Sequence, residues 1–445
     1  MKYSTHMKLV NILLLSVIFY LSISCTSNWP QFRGPDSNQL TKEKNLPEDW
    51  SEKTNIEWKY KLSGRGWSTP VVWGNKVFFT SAVLEDPSLQ WEQRKNGEKR
   101  LINPSDAEYR WEVICLDADS GKELWKRTAS EGTPEVPTHR DNTYASETPV
   151  TDGKRIYVYF GMIGLFAYDL EGDLIWEKDL GNYPLRGNWG TSTSPKLWKN
   201  TLYLQIDNED NSFLVALDAE SGDEKWRVQR DEKSNWSTPL IWKNKVRTEL
   251  VTGGKITRSY DLSSGDLLWE LKMGGGRDIA SPVADDEMIY VGNEKRSDGG
   301  GFLFAVKAGA EGDITPDEDA TTSSGVAWSL SGSGMEMASP LLYEGLLYIV
   351  ERRKGLIFCY NAFSGDPVYK GTKIPEAGAF WASPWAVEGK IYCMDETGIT
   401  HVIRAGEEFE VLSQNRLNDK FWASQAIAKN SYFFRGVEYI YCVRK

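Results

Sequence analysis

Leu116 to Trp125 reads L-D-A-D-S-G-K-E-L-W, and the chain writes it again. It returns as L-D-A-E-S-G-D-E-K-W from Leu217 to Trp226 and as Y-D-L-S-S-G-D-L-L-W from Tyr260 to Trp269. Shorter copies run from Tyr168 to Trp176 and from Tyr360 to Tyr369. Self-similarity at a spacing of about 40–50 residues means one supersecondary unit used many times. The Asp suits an Asx-turn, and Gly121, Gly222 and Gly265 suit the reversal that follows it. D-A-D-S-G from Asp117 lacks the further spaced carboxylates and terminal Glu of an EF-hand loop, so it reads as a turn and not as a calcium site.

Working outward, each copy is preceded by a Ser/Thr-Pro pair and an apolar run, as in S-T-P-V-V from Ser68 and A-S-P-L-L from Ala338. The prolines are Pro70, Pro149, Pro195, Pro239, Pro282, Pro340 and Pro384, with spacings of 79, 46, 44, 43, 58 and 44. An eighth copy, A-S-Q-A-I from Ala423, carries Gln425 instead. Tight hairpin signals such as Gly74-Asn75 and Asp152-Gly153 lead into aromatic and β-branched return strands. Four strands per copy and eight copies predict an all-β chain: an eight-bladed β-propeller of four-stranded antiparallel blades. The long spacings mark insertions at about 84–109 and 308–323. The last copy stops after its third strand, at Y-I-Y-C-V-R-K. The lone N-I-E-W-K-Y-K-L around Trp58 supplies the missing one, so an N-terminal strand is expected to close the last blade.

The termini and bulk numbers set the context. Lys2 and Lys8 precede an apolar run from Leu9 to Leu21, too short to span a bilayer and suited to a signal peptide over 1–24. L-S-I-S-C, ending at Cys25, resembles a bacterial lipobox. An exported chain lipid-anchored at Cys25 is expected, on the periplasmic or outer-membrane face, with a lead segment over 25–54 and one propeller over 55–445. The net charge is −11, which disfavours nucleic acid. Negative mean hydropathy speaks against a spanning segment in the mature chain, leaving the lipid as the only membrane contact. Cys115, Cys359 and Cys442 occupy the slot that holds Ala167, Ala216 and Ala305 in other copies, so they read as small buried thiols.

The loops before each innermost strand are expected to converge at one mouth of the central channel. They bring together Arg65, Trp67, Asn142, Tyr144, Arg186, Asn188, Trp189, Asn235, Trp236, Arg277, Asp278, Glu336, Trp381 and Trp422. Aromatics with a few polar groups in a concavity make a ligand site, and several Arg suit an anion. The same equivalence is also what blade packing would produce, since Trp67, Trp236, Trp381 and Trp422 share one repeat position.

With these residues in view, the chain after residue 28 resembles the PQQ-repeat propellers. The A-x-D-x-x-G-K-x-x-W pattern ending at Trp125 is similar to the tryptophan-docking motif of quinoprotein alcohol dehydrogenases. W-P-Q-F-R-G-P, Trp29 to Pro35, resembles the start of exported proteins with PQQ-binding-like repeats, and the outer-membrane lipoprotein BamB carries the same repeat. The resemblance implies two functions. One is a non-enzymatic scaffold or binding protein at the envelope, a monomer with no cofactor, taking a protein partner or a small anionic or carbohydrate ligand. The alternative is a quinoprotein oxidoreductase using PQQ and calcium. There Glu147, Asn235 and Asp278 would match the metal set, with Asp278 catalytic. The chain departs from the alcohol dehydrogenases in having neither a Cys-Cys pair nor a C-x-x-C-H haem motif. Rim aromatics alone suggest a third reading, polysaccharide binding or processing. Beyond the leader, only His139 and His401 remain, too few for a polyhistidine metal site.

Overall fold

The computed structural model describes residues 27–95, 97, 99–274, 279–294 and 301–445. The leader and Cys25 lie outside the described residues, as do Arg277 and Asp278.

Eight antiparallel sheets follow one another around a central channel. Blade 1 is built from Val71–Trp73, Lys76–Leu84, Tyr109–Asp117 and Glu123–Gly132. Blade 8 takes Ala426–Ala428, Ser431–Arg435 and Tyr439–Arg444 from the C-terminus and Ile56–Lys61 from the N-terminus. Trp58 pairs opposite Cys442 in that closing strand. The ring is thus fastened by hydrogen bonds between the two ends of the chain, and no inner edge stays open.

The repeated turn does what its residues suggest. Asp117 Oδ1 accepts the N–H groups of Asp119 (3.2 Å) and Ser120 (2.8 Å), and Gly121 N–H returns to Asp117 O (2.8 Å). The Trp belongs to the neighbouring blade. Trp58 Nε1 donates to Ala118 O at 3.1 Å, Trp125 to Leu170 O at 3.0 Å, and Trp176 to Ala219 O at 3.3 Å. Trp226 donates to Leu262 O at 3.2 Å and Trp328 to Ala362 O at 3.0 Å. Each ring lies over the turn glycine of the next blade. A Cβ on Gly121 would meet Trp58 at 2.5 Å, and one on Gly222 would meet Trp176 at 2.9 Å. The small Ala or Cys slot has the same cause. Cys115, Ala167, Ala216, Ala305, Cys359 and Cys442 sit directly across the ladder from Trp125, Trp176, Trp226, Trp328, Tyr369 and Trp58. A bulky neighbour there would push the ring off its turn. The described cysteines are all buried and free.

Blade 4 departs from the pattern. The insertion near 308–323 sends Gly312–Asp313 back to pair in parallel with its outer strand, giving five strands. Trp269 is therefore wholly buried and donates inward to Glu249 Oε2 at 2.9 Å. The first insertion carries a short 3-10 turn, Pro87–Gln90, and a hairpin of Trp91–Gln93 with Lys99–Leu101.

The Ser/Thr-Pro pairs form a girdle around the channel. Thr69 N–H donates to Thr148 Oγ1 (3.0 Å), Thr148 N–H to Ser194 Oγ (2.9 Å), and Ser194 N–H to Thr238 Oγ1 (3.0 Å). The series continues from Thr238 to Ser281 (3.0 Å), from Ser281 to Ser339 (2.9 Å), and from Ser383 to Ser424 (3.0 Å). Proline holds its preceding residue extended, which turns that residue's N–H away from its own blade. The hydroxyl one blade on receives it, so a buried donor is satisfied between blades.

Candidate functional site: a cup with a sealed floor

The W-P-Q-F-R-G-P segment closes one end of the channel. Trp29 and Val72 exchange both backbone bonds (2.8 and 2.9 Å), and Thr151 N–H donates to Pro30 O at 2.9 Å. Arg33 is buried on the axis and donates to Pro282 O (2.8 Å) and to Pro340 O. Lys196 donates to Ser37 Oγ at 2.8 Å, and Asn38 exchanges bonds with the backbone of Leu342 at 2.8 and 3.0 Å. This one segment ties down blades 1, 2, 3, 5 and 6. Burial pulls Arg33 down to about 9 and Lys196 to about 7, each also without a carboxylate partner among the described residues.

Above the plug lies a cup of about 470 Å³. Phe32 forms its floor, the hydroxyl girdle its lower wall, and Trp67, Trp189, Trp236, Trp381 and Trp422 its upper wall. Trp422 stands 4.7 Å from Trp67 and 6.1 Å from Trp381, centroid to centroid, and Trp189 stands 5.3 Å from Trp236. Arg140, Arg352 and Arg353 face the same space with one carboxylate, Asp141. The Arg352 guanidinium lies 3.8 Å over the Trp381 ring, a cation–π contact. Burial and the adjacent Arg353 charge both lower the Arg352 pKa. His139 is also on the wall, and burial lowers its pKa, favouring the neutral ring.

The expected residues divide. The five tryptophans and Asn142 reach the cup, although the Asn142 amide is committed to Trp189 O (2.8 Å) and Thr191 O (3.0 Å). Arg65 sits just outside, bonded to Asn103 Oδ1 (2.6 Å), Ile102 O (3.2 Å) and Arg140 O (3.4 Å). It is a strut for the first insertion. Tyr144 packs behind the wall on Tyr109 (5.0 Å), and Asn235 faces a separate crevice beside Asp207. Arg186 and Asn188 are exposed on a short turn away from the cup lining. Glu336 accepts Arg352 N–H at 2.9 Å and so acts one step behind the rim. His401 is buried inside blade 7 against Asp395 (3.2 Å). Arg352 and Arg353 were not foreseen, because only the loops before innermost strands were considered. The loops joining second and third strands open on the same side, and R-R-K-G follows L-L-Y-I-V there.

Of the calcium set that the quinoprotein resemblance implies, Glu147 and Asn235 are described and Asp278 lies outside the described residues. Burial raises the Glu147 carboxyl to about 7, towards its neutral form, and Glu147 Oε1 has no partner. Asn235 Oδ1 is taken by Ser237 N–H at 2.7 Å. No group of three or more His, Cys, Asp or Glu among the described residues is placed to hold a metal.

Eight blades, docked tryptophans and a closing N-terminal strand define a PQQ-repeat β-propeller. Residues 110–365 match the family described as outer membrane protein assembly factor BamB, and the chain belongs to that family. Two curated relatives match over shorter stretches. Tetrathionate hydrolase of Acidithiobacillus ferrooxidans is 24% identical over 46% of this chain and 42% of its own length. BamB of Moranella endobia is 27% identical over 40% of this chain and 46% of its own. The chain thus spans less than half the length of either relative. Among solved structures, BamB from Moraxella catarrhalis superposes with a TM-score of 0.55 at 13% identity, covering 83% of this chain and 98% of that one. Quinohemoprotein alcohol dehydrogenase from Comamonas testosteroni gives 0.56 at 11%, covering 94% and 81%. At these identities both likenesses speak for the fold alone.

Proposed function

We propose that this chain is an exported, lipid-anchored propeller that acts as a binding and scaffold protein at the cell envelope. The observation that carries the reading is the cup. Its floor is sealed by the chain's own N-terminal segment, and its girdle hydroxyls are spent on holding blades together. What faces solvent is a wall of indoles and three guanidiniums, a surface suited to recognition. The family membership supports the same reading, since that family is described as an outer membrane protein assembly factor.

Two variants test it together. Cys25→Ala is expected to move the chain from the membrane fraction to the soluble exported fraction. Immobilised wild-type chain is expected to retain an envelope component that Arg352→Ala/Arg353→Ala does not. Equal retention by the two would remove the cup from the function, and an unchanged membrane fraction for Cys25→Ala would remove the anchor. The second reading is an oxidoreductase using PQQ and calcium, for which Glu147 keeps a buried Oε1 without a partner.

A further inference from the structure

The cup is not isolated. The first insertion stands up beside blades 7 and 8 and encloses an open groove of about 1370 Å³ with them. Trp422 lines both the cup and the groove. Glu396 lines the groove and accepts the Trp381 Nε1–H of the cup at 3.0 Å. Arg65, on the groove wall, donates to the backbone of Arg140 on the cup wall at 3.4 Å. At the far end, on the insertion's hairpin, Trp91 is 49% exposed. At that exposure about half of its large apolar surface stands open to solvent.

We propose that cup and groove form one binding track for an acidic oligosaccharide, a short sugar chain bearing carboxylate or sulfate groups. This rests on the cup being the recognition surface. Three features of the track support that class. The indole faces of Trp91, Trp422 and Trp67 offer flat apolar platforms along it, of the kind that accept the apolar faces of rings. Arg352, Arg353, Arg416 and Lys420 carry charges with no ion pair among the described residues, in a chain of net charge −11. Those charges are sparse and stand among Glu396 and Glu438 on the groove wall. Carboxylates of this kind accept hydrogen bonds from hydroxyl groups. They would repel the dense charge of a nucleic acid backbone or of an acidic peptide. A polyhydroxylated chain with occasional negative groups satisfies indoles, cations and carboxylates together.

Calorimetric titration of the full chain tests this with defined probes. These are a galacturonate pentamer and dimer for the carboxylate, a chondroitin sulfate hexamer for the sulfate, cellopentaose, penta-glutamate and a thymidylate pentamer. Binding by the galacturonate pentamer or the chondroitin hexamer, at about micromolar Kd, is expected, and whichever of the two binds more tightly identifies the anionic group. The pentamer is expected to bind at least about tenfold more tightly than the dimer, and Trp91→Ala to abolish that gain without changing the dimer's affinity. Trp91 lies on an exposed hairpin, so its variant should melt with the wild type. A dimer that binds as well as the pentamer, or a silent Trp91→Ala, overturns the track while leaving the cup as a site. Failure of both acidic sugars, or equal binding by cellopentaose, the peptide or the nucleotide, overturns the ligand class.

Discussion

Trp58→Ala is expected to lower unfolding stability by about 3–5 kcal/mol, the range for emptying a buried aromatic site. Trp58 has three roles at once. It lies in the strand that completes blade 8, it packs 5.9 Å from Phe433, and it covers Gly121 of blade 1 while donating to Ala118 O. Loss of the ring leaves a cavity, a carbonyl held only by Arg444 Nη2 at 3.4 Å, and a weakened ring closure together. Trp176→Ala makes a useful comparison. It removes the same docking contact between blades 2 and 3, but from a partly exposed residue away from the closure. Denaturant unfolding followed by circular dichroism should give a clearly smaller loss for Trp176→Ala. Equal losses would show that docking rather than closure sets the stability, and a loss of less than about 1 kcal/mol for Trp58→Ala would show that neither does.

Lys196→Met is expected to stabilise the protein near neutral pH. Lys196 is wholly buried on the channel axis, and burial first, then the Arg33 charge, lowers its pKa from 10.5 to about 7. Below about 7 the folded state must hold the ammonium out of water, with Ser37 Oγ, Gln31 Oε1 and Phe32 O as its only acceptors among the described residues. Between about 7 and 10.5 the folded lysine is neutral while the unfolded one is still protonated. The unfolded state therefore binds more protons, and stability rises with pH across that window. Over the full window the difference is on the order of 5 kcal/mol. Methionine fills much the same volume and carries no charge, so it removes the penalty and the slope together. Part of the gain is offset by the Ser37 hydroxyl, which loses its donor at 2.8 Å. Melting temperatures at pH 6.5 and pH 9.5 give the test. The two chains should differ most at pH 6.5 and converge at pH 9.5. A difference that does not change with pH would mean that Lys196 keeps its charge when folded.

What the sequence disclosed follows from distance along the chain. The D-x-x-S-G turn, its Gly and its Trp are local, and so were legible from Asp117, Gly121 and Trp125 alone. Repetition then carried the fold, down to the N-terminal strand closing the last blade. The cup was only half legible. Trp67, Trp236, Trp381 and Trp422 could be placed by repeat position, but their partners lie on neighbouring blades. Arg65 and Asn142 read as ligand groups, yet both are spent on fixing loops. The Ser/Thr-Pro pairs read as strand starters because the hydroxyl that meets each N–H lies one blade further on. Trp29 to Pro35 was recognised only as an opening signature. Nothing in its composition shows that Arg33 reaches carbonyls of Pro282 and Pro340, some 250 and 307 positions away.

Ligand recognition and quinone chemistry are separated by one titration. Purified chain is titrated with PQQ in the presence of calcium, and the quinone absorbance and the reduction of an added dye are followed with alcohol and sugar substrates. Neither calcium-dependent uptake of PQQ at micromolar concentration nor dye reduction is expected. Stoichiometric uptake that requires calcium, supports dye reduction and is lost in Asn235→Ala and Glu147→Gln would contradict that expectation.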